Sequence, residues 1–434
     1  MEETALQVAN EGNSQKERTL SMKSSQVYYT NYNTVQAAED IVYTQQYKQA
    51  WPSLAFGSQG IVLNVSQFDL SREIRVRLVL PPIPANVSLP KGWGMSLISQ
   101  VRYRFGGSVE MFLDGPQMIM ELLAESETAQ KRSELLSAAG EEVSNGSGGQ
   151  PVEANLFIPV PVMSRIRALS MPKPLDNSLL NQGYQIILFC NSPSVCMGGS
   201  AKAAWLAANN AYLSAEWLVS TARFSDPMVE SIKMDLIKNP SLEYNLPFIY
   251  PQCVQYSFTG AVSPNRATIT LNSFLNAELL AIRTICVADS DLNGDGTVGG
   301  VVNYIYNTEP GTNHQLLLNG QVLFDYPGQS SRLVQTMGSL DSAFMPTNVF
   351  TPLTQTASPF VSLPVKSYWT TYCFSSCDPK WWNGSTRLTG LRDIQNSTFQ
   401  LSMSTATTGS YKLYVVYLYN SALSIKGNSA SFIF

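Results

Sequence analysis

The chain has 434 residues, 44% of them hydrophobic and only 14% charged, with a formal net charge of −4. That length suggests two domains rather than one ordinary β-sandwich, and the charged share is low against about 25% in an average soluble domain. A net negative chain with no basic run is unsuited to coating nucleic acid, and no apolar run reaches the ~18 residues of a bilayer span. The single histidine, His314, rules out His-rich zinc sites and leaves one candidate for any Ser-His-Asp or Cys-His arrangement.

In chain order, residues 1–25 are polar, mixed in charge and without periodicity, as expected of a flexible arm. The acidic start Met1-Glu2-Glu3 is not that of a secretory signal, so synthesis in the cytosol is the expectation. Tyr28, Tyr29, Tyr32, Tyr43, Tyr47 and Trp51 among Gln and Asn extend this arm to residue 56, suited to docking on a neighbour. From Gly57 short β-type runs recur: Ile61 to Val65, Ile74 to Leu80 and Leu97 to Phe105. In the second, Ile74, Val76, Leu78 and Leu80 alternate with Arg75, Arg77 and Val79, a period of two with one face in and one out. Pro81, Pro82 and Pro84 end it. Over residues 115–139 the period becomes helical, with Met118, Leu122, Ala129, Leu135 and Leu136 among Glu and Lys.

Strand patterns resume at Val152 to Val162 and Tyr184 to Cys190, followed by an Ala-rich piece at 201–211 and a strand-like run from Tyr212 to Phe224. Residues 225–250, with Asp226-Pro227 and Asn239-Pro240, read as a linker. Seven further runs follow: Val254 to Phe258, Ala267 to Leu271, Leu279 to Val287, Gln315 to Phe324, Val365 to Phe374, Thr398 to Met403 and Tyr411 to Tyr419. Consecutive strands without helices between them disfavour parallel α/β folds. The expected fold is all-β: two consecutive antiparallel eight-stranded jelly rolls, residues 57–224 and 251–434, with short helical insertions.

Candidate chemistry is sparse. Cys190, Cys196, Cys253, Cys286, Cys373 and Cys377 lack zinc or thioredoxin spacing and read as free thiols, with a Cys373–Cys377 bridge as the lesser alternative. Asp291, Asn293, Asp295 and Gly296 match the start of an EF-hand calcium loop, but Val302 stands where the bidentate acid belongs. A plain Asp/Asn/Gly turn is the favoured reading. Glu121, Glu125, Glu127, Glu134, Glu141 and Glu142 read as a solvated helix face rather than paired catalytic acids. The sequons at Asn64, Asn86, Asn145, Asn383 and Asn396 read as chance in a Ser-rich chain. Trp369, Trp381 and Trp382 read as packing, and His314 as a surface loop residue. No catalytic residue and no cofactor is expected.

Several segments resemble the double jelly-roll major capsid proteins of icosahedral double-stranded DNA viruses, the type of large eukaryotic DNA viruses, virophages and Polinton-like viruses. Ile98-Ser-Gln-Val-Arg-Tyr-Arg-Phe-Gly-Gly107 is similar to the family's first-domain strand ending in a Gly-Gly turn. Phe157-Ile-Pro-Val-Pro161 with Ala168-Leu-Ser-Met-Pro172 resembles its proline-rich stretch. Tyr212 to Val219 and Leu242-Glu-Tyr244 are similar to the close of its first roll, and Arg266 to Leu271 with Ala277 to Leu280 to the start of its second. Tyr372-Cys-Phe374, Asn383-Gly384, Leu401, Tyr411 to Tyr419, Asn420 to Gly427 and Ser431 to Phe434 follow the order of its ending.

The resemblance implies a non-enzymatic shell protein of the virion, made in the host cytoplasm. It implies trimeric capsomers of near-hexagonal outline and contacts with neighbouring capsomers, with penton and minor capsid proteins, and with an inner membrane or core layer. No specific nucleic acid is implied. Two alternatives stay open: a penton or minor capsid protein, or a carbohydrate-binding β-sandwich of fibre or lectin-like type.

Overall fold

The computed structural model describes residues 41–54, 60–65, 69–107, 109–115, 117–118, 129–162, 165–166, 171–172, 175–176, 183–209, 213–224, 234, 238, 243–272, 274–289, 313–326, 370–375, 390–392, 394, 397–405, 407–426 and 429–434. The strands of the first half are β1 (Ile41–Leu54), β2 (Ile61–Val65), β3 (Asp69–Leu80), β4 (Ile98–Phe105), β5 (Val109–Asp114), β6 (Val152–Phe157), the two-residue β7 (Arg165–Ile166), β8 (Met171–Pro172) and β9 (Leu175–Asp176), then β10 (Tyr184–Cys190) and β11 (Leu213–Phe224). The second half contributes β12 (Glu243–Thr259), β13 (Ala267–Leu271), β14 (Leu279–Ala288), β15 (His314–Leu318), β16 (Gln321–Tyr326), β17 (Thr370–Cys373), β18 (Phe399–Met403), β19 (Ser410–Lys426) and β20 (Ser429–Ile433). Among the described residues three helices interrupt the first half: α1 (Trp93–Leu97), α2 (Ala129–Ala138) and α3 (Lys202–Ala208).

The strands form two sheets per half, in the orders β1-β11-β3-β6 and β2-β10-β4-β5, then β12-β19-β14-β17 and β13-β18-β15-β16. Leaving aside the short β7, β8 and β9 and the off-path β20, and ranking the eight remaining strands of each half by chain order, both halves are wired as 1-8-3-6 facing 2-7-4-5. Every pairing within these sheets is antiparallel. The chain therefore has a double jelly-roll fold.

Period-two patterning places the cores. Ile74, Val76, Leu78 and Leu80 of β3 and Tyr184, Ile186, Leu188 and Cys190 of β10 turn inward in the first roll, around Trp217. A second core gathers Ile282, Cys286, Leu316, Leu401, Leu413, Val415 and Tyr417.

Three sequence expectations need correction. Ile41–Leu54, expected in an arm, is strand β1, paired along β11 at the edge of its sheet. Glu243 to Tyr250, expected in the linker, is the first half of β12, where Glu243 faces Lys426 and Tyr250 faces Tyr419. Both strands carry proline (Pro52; Pro247 and Pro251), which argues against a central strand but is tolerated at an edge, where one side needs no amide donor. Third, the run Gln315 to Phe324 is not one strand. Asn319 (φ 51°) and Gly320 (φ 81°) turn it into the β15–β16 hairpin, with Leu318 opposite Gln321. Two consecutive positive-φ residues are what a tight type I′ turn requires, and Asn-Gly supplies them. Asn319 also clips the turn to the next strand: its Oδ1 accepts from the Thr398 amide at 2.8 Å and its amide donates to the Thr398 carbonyl at 2.9 Å.

The helical expectation for 115–139 holds at α2 and at the helical residues 115, 117 and 118; residues 119–128 lie outside the described ones. Before the strand β4, residues 93–97 form a fully buried turn of helix. Gly140, at φ +125°, lies against the Trp93 indole of that helix, where a Cβ would overlap the ring. Replacing Gly140 with Ala is expected to destabilise the fold by about 1–3 kcal/mol through strain and overpacking. Thermal melting of the variant, with a lowered midpoint and unchanged strand content, is the check.

Candidate assembly surface

The second roll's sheet of β12, β19, β14 and β17 has two apolar faces. Nine of the ten positions of β14 are buried, and so is every residue from Leu413 to Tyr419 on β19. Alternate residues point to opposite sides of a strand. Ile282, Cys286, Leu413, Val415 and Tyr417 therefore fill the second roll, while Ala281, Ile285, Val287, Val416 and Leu418 join the buried cluster of the first roll. Each large aliphatic side chain buried this way contributes about 1.5–3 kcal/mol. The seam between the rolls is thus continuous with a core.

The first roll covers this face with its edge strand β5 and the residues just after it. Gln117, buried, donates from Nε2 to the Val415 carbonyl at 3.3 Å, and the Cys253 thiol lies 3.6 Å from the Phe112 carbonyl. An aromatic group closes one end. Phe432 of β20 packs 6.4 Å from Phe105 of β4, 5.6 Å from Phe248 and 5.1 Å from Tyr250, and Tyr250 meets Phe434 edge-on at 5.0 Å. Such edge and tilted geometries suit the aromatic quadrupoles.

The equivalent face of the first roll has different chemistry. Along β3 the outward positions are Arg75, Arg77 and Val79. Arg77 Nε and Nη2 donate to Glu153 of β6, and Nη1 donates to Glu216 of β11 at 3.4 Å. The Arg75 guanidinium lies 5.8 Å over the Phe157 ring. Arg77 and Glu153 remain 38% and 46% exposed.

Residues singled out in the sequence fall as follows. His314 is not on the surface: it opens β15, is fully buried, and its Nδ1 sits 3.1 Å from the Tyr372 hydroxyl. Tyr326 stacks on that tyrosine at 5.5 Å. A polar ring with an apolar body suits a buried strand position once a partner hydroxyl is supplied, and the partner lies 58 residues away in sequence. Asp291, Asn293 and Asp295 lie outside the described residues, as do Trp369, Trp381, Trp382, Cys377, Asn383, Asn396, Glu121, Glu125 and Glu127. Cys190 and Cys196 are buried free thiols, and burial pushes both up to about 12. Glu134, Glu141, Glu142, Asn86 and Asn145 are exposed. Asn64 on β2 accepts from Gln185 at 2.7 Å. Among the described residues no three His, Cys, Asp or Glu side chains converge as a metal site would need, and no helix is long and apolar enough to cross a membrane.

One acid that composition did not single out is structurally engaged. Glu278, only 4% exposed, precedes β14. Its Oε1 accepts from the Gly390 amide at 3.0 Å and from Arg392 Nε at 3.1 Å, and its Oε2 accepts from Asn420 at 3.3 Å. Burial by itself raises its pKa, but the Gly390 amide, Asn420 and Arg392 together outweigh burial and hold it below the ordinary carboxylate value. A depressed folded pKa contributes stability above the unfolded value of 4.5 and loses it as pH falls through the folded value. Glu278→Gln is therefore expected to cost about 1–3 kcal/mol at neutral pH. The difference from wild type should shrink as pH drops below 4.5, measured by denaturant titration across pH.

No protein-family model matches the chain, and no curated protein matches it. Solved structures do. PBCV-1 VP54, as fitted into a reconstruction of the virophage Sputnik, superposes with a TM-score of 0.62 at 13% identity, covering 90% of this chain and 97% of that one. The cryo-EM structure of the Sputnik virophage gives 0.52 at 13% identity, covering 91% and 89%. The faustovirus major capsid protein gives 0.52 at 8% identity, covering 97% and 98%. Chains this different in sequence share the whole architecture, both rolls included.

Proposed function

We propose that this chain is a major capsid protein, a structural component of an icosahedral virion that acts by self-assembly rather than catalysis. The observation that carries the reading is the pair of identically wired rolls joined through a shared apolar seam. That arrangement is superposable over nearly the full length on VP54 and on the faustovirus major capsid protein. The work of such a protein is geometric. Two rolls per chain make each protomer a two-lobed tile, and three protomers place six rolls around a ring of near-hexagonal outline. A closed ring leaves fewer strand edges open and disfavours open fibres.

The low charged share, 14%, fits a surface much of which is covered by neighbours. Neighbouring capsomers, penton and minor capsid proteins, and an inner membrane or core layer are the partners that follow. The virion is the site of action, after synthesis in the host cytoplasm. The carbohydrate-binding alternative rested on the Asp291–Asp295 loop and on Trp369, Trp381 and Trp382, none of which is among the described residues. It therefore gains no support from the described structure.

The purified chain is expected to elute with the mass of three copies by size-exclusion chromatography with light scattering at micromolar concentration. The trimers should bury well above about 2,000 Å², the range of permanent complexes. Particles of the source virus, seen by electron microscopy, should show capsomers of hexagonal outline. A stable monomer with affinity for sugars would count against the capsid reading.

A further inference from the structure

The outer face of the β2-β10-β4-β5 sheet carries a polar row at one end. Asn64 of β2 lies opposite Gln185 of β10, Gln185 opposite Arg104 of β4, and Arg104 opposite Glu110 of β5. Two bonds divide the row into pairs. Gln185 Nε2 donates to Asn64 Oδ1 at 2.7 Å, and Arg104 Nε donates to Glu110 Oε1. A cleft of about 250 Å³ opens against the row, lined by Asn64, Gln185 and Arg104 with Tyr184, Gly107 and Gly183. Gly107 and Gly183, at φ 79° and 66°, hold backbone conformations that side chains avoid, so this end of the cleft stays unfilled. The Gly106 amide, donating to the Gly183 carbonyl at 3.2 Å, ties the two glycine segments together.

Each pair leaves polar groups over. Glu110 takes only Nε of the Arg104 guanidinium, and among the described residues nothing bonds to Nη1 or Nη2. The Asn64–Gln185 pair leaves one amide NH2 and one amide oxygen, whichever way the two amides are turned. The left-over set is therefore rich in donors, cationic at Arg104, and has a single amide oxygen among its acceptors beside the Glu110 carboxylate. A donor fork on a cation is what an oxyanion takes. The amide oxygen adds a condition: it needs a donor, which a carboxylate or sulfate lacks and a protonated phosphate has. The other arginine on this face is already engaged. Arg102 Nε donates to Gln100 at 2.6 Å, and its guanidinium lies 5.0 Å over the Phe189 ring.

We propose that this cleft binds a phosphate group that still carries a hydroxyl. Arg104 Nη1 and Nη2 take two phosphate oxygens as a fork, the left-over amide NH2 of the Asn64–Gln185 pair takes a third, and the phosphate hydroxyl donates to the left-over amide oxygen. Glu110 has two opposed effects. It orients the guanidinium, and it cancels part of the charge that attracts the anion, so the site is a weak one. Inorganic phosphate and the phosphomonoester headgroup of a lipid present the same chemistry to these groups. The proposal stands apart from the capsid reading and neither needs it nor tests it.

Calorimetric titration of the full-length chain with sodium phosphate tests it, at about pH 6, where the protonated form is well populated. Binding should saturate, and sulfate should bind about tenfold more weakly for want of a donor. Arg104→Gln and Asn64→Asp should each weaken phosphate binding about tenfold, by loss of the fork and by an added like charge. Glu110→Gln should tighten it about threefold, since the opposing charge is gone. A row that served the fold alone would not bind more tightly on losing Glu110. If Arg104→Gln does not fold, Asn64→Asp and Glu110→Gln, both at exposed positions, carry the test. A second arm mixes the chain with phosphatidylcholine vesicles containing phosphatidic acid. Sedimentation with these vesicles, abolished by Asn64→Asp, identifies a lipid headgroup as the source; phosphate binding without it identifies the free ion. Sulfate binding as tightly as phosphate overturns the assignment, as does phosphate binding unaltered by all three substitutions. Binding of neither phosphate at tens of millimolar nor vesicles overturns it too.

Discussion

A β-sheet with no solvent side must be covered twice, and the sheet of β12, β19, β14 and β17 is such a sheet. Antiparallel sheets usually keep one wet face, which is why their strands alternate apolar and polar. Here β14 and the middle of β19 are apolar on both faces, so the second roll cannot stand alone without exposing Ile285, Val287, Val416 and Leu418. The first roll is its cover. The orientation of the rolls, the burial of Gln117 and the placement of the C-terminal strand against Phe105 and Tyr250 all follow from that need.

The two rolls use the same wiring for different ends. In the second, the outer face of the sheet is apolar and already filled by its neighbour in the chain. In the first, the same face is built around the Arg77, Glu153 and Glu216 pairs and stays open within the single chain. Exposed ion pairs contribute little to stability, about 0–1 kcal/mol each, but they keep a sheet face soluble. Each roll carries an outward arginine on its third-ranked strand, yet Arg283 is buried inside the seam while the Arg77 side chain stays partly exposed outside it. The difference lies in what covers the residue, not in its type. A permanent contact within one chain tolerates an apolar face that is never exposed. A face left open while chains fold and meet does not.

Charged and polar groups inside the second roll are placed by long-range closure. Glu278 ties Gly390, Arg392 and Asn420 to the entry of β14, and His314 meets Tyr372 across two sheets. Neither partnership spans fewer than 58 residues of sequence. Such buried polar groups are satisfied only in the folded register, so they favour that register over its slipped alternatives.

The sequence by itself determined the all-β class, the two successive sets of strands and the inward faces of β3 and β18, because alternation is a local property with a period of two. It also held the Asn319-Gly320 turn in plain view, since Asn-Gly is the pair a two-residue type I′ hairpin takes; the apolar residues on either side of it read as one strand. What tertiary structure alone decided was membership and exposure. Residues 41–54 read as arm because their aromatics stand among Gln and Asn, and Glu243 to Tyr250 as linker behind Asp226-Pro227 and Asn239-Pro240; only their pairing with β11 and β19 shows them to be strands. His314 read as a loop residue because its partner, Tyr372, is distant in sequence. The polar or apolar character of the same outer face in the two rolls was visible residue by residue. Which of them is covered depends on contacts between residues hundreds of positions apart, and no local pattern encodes those.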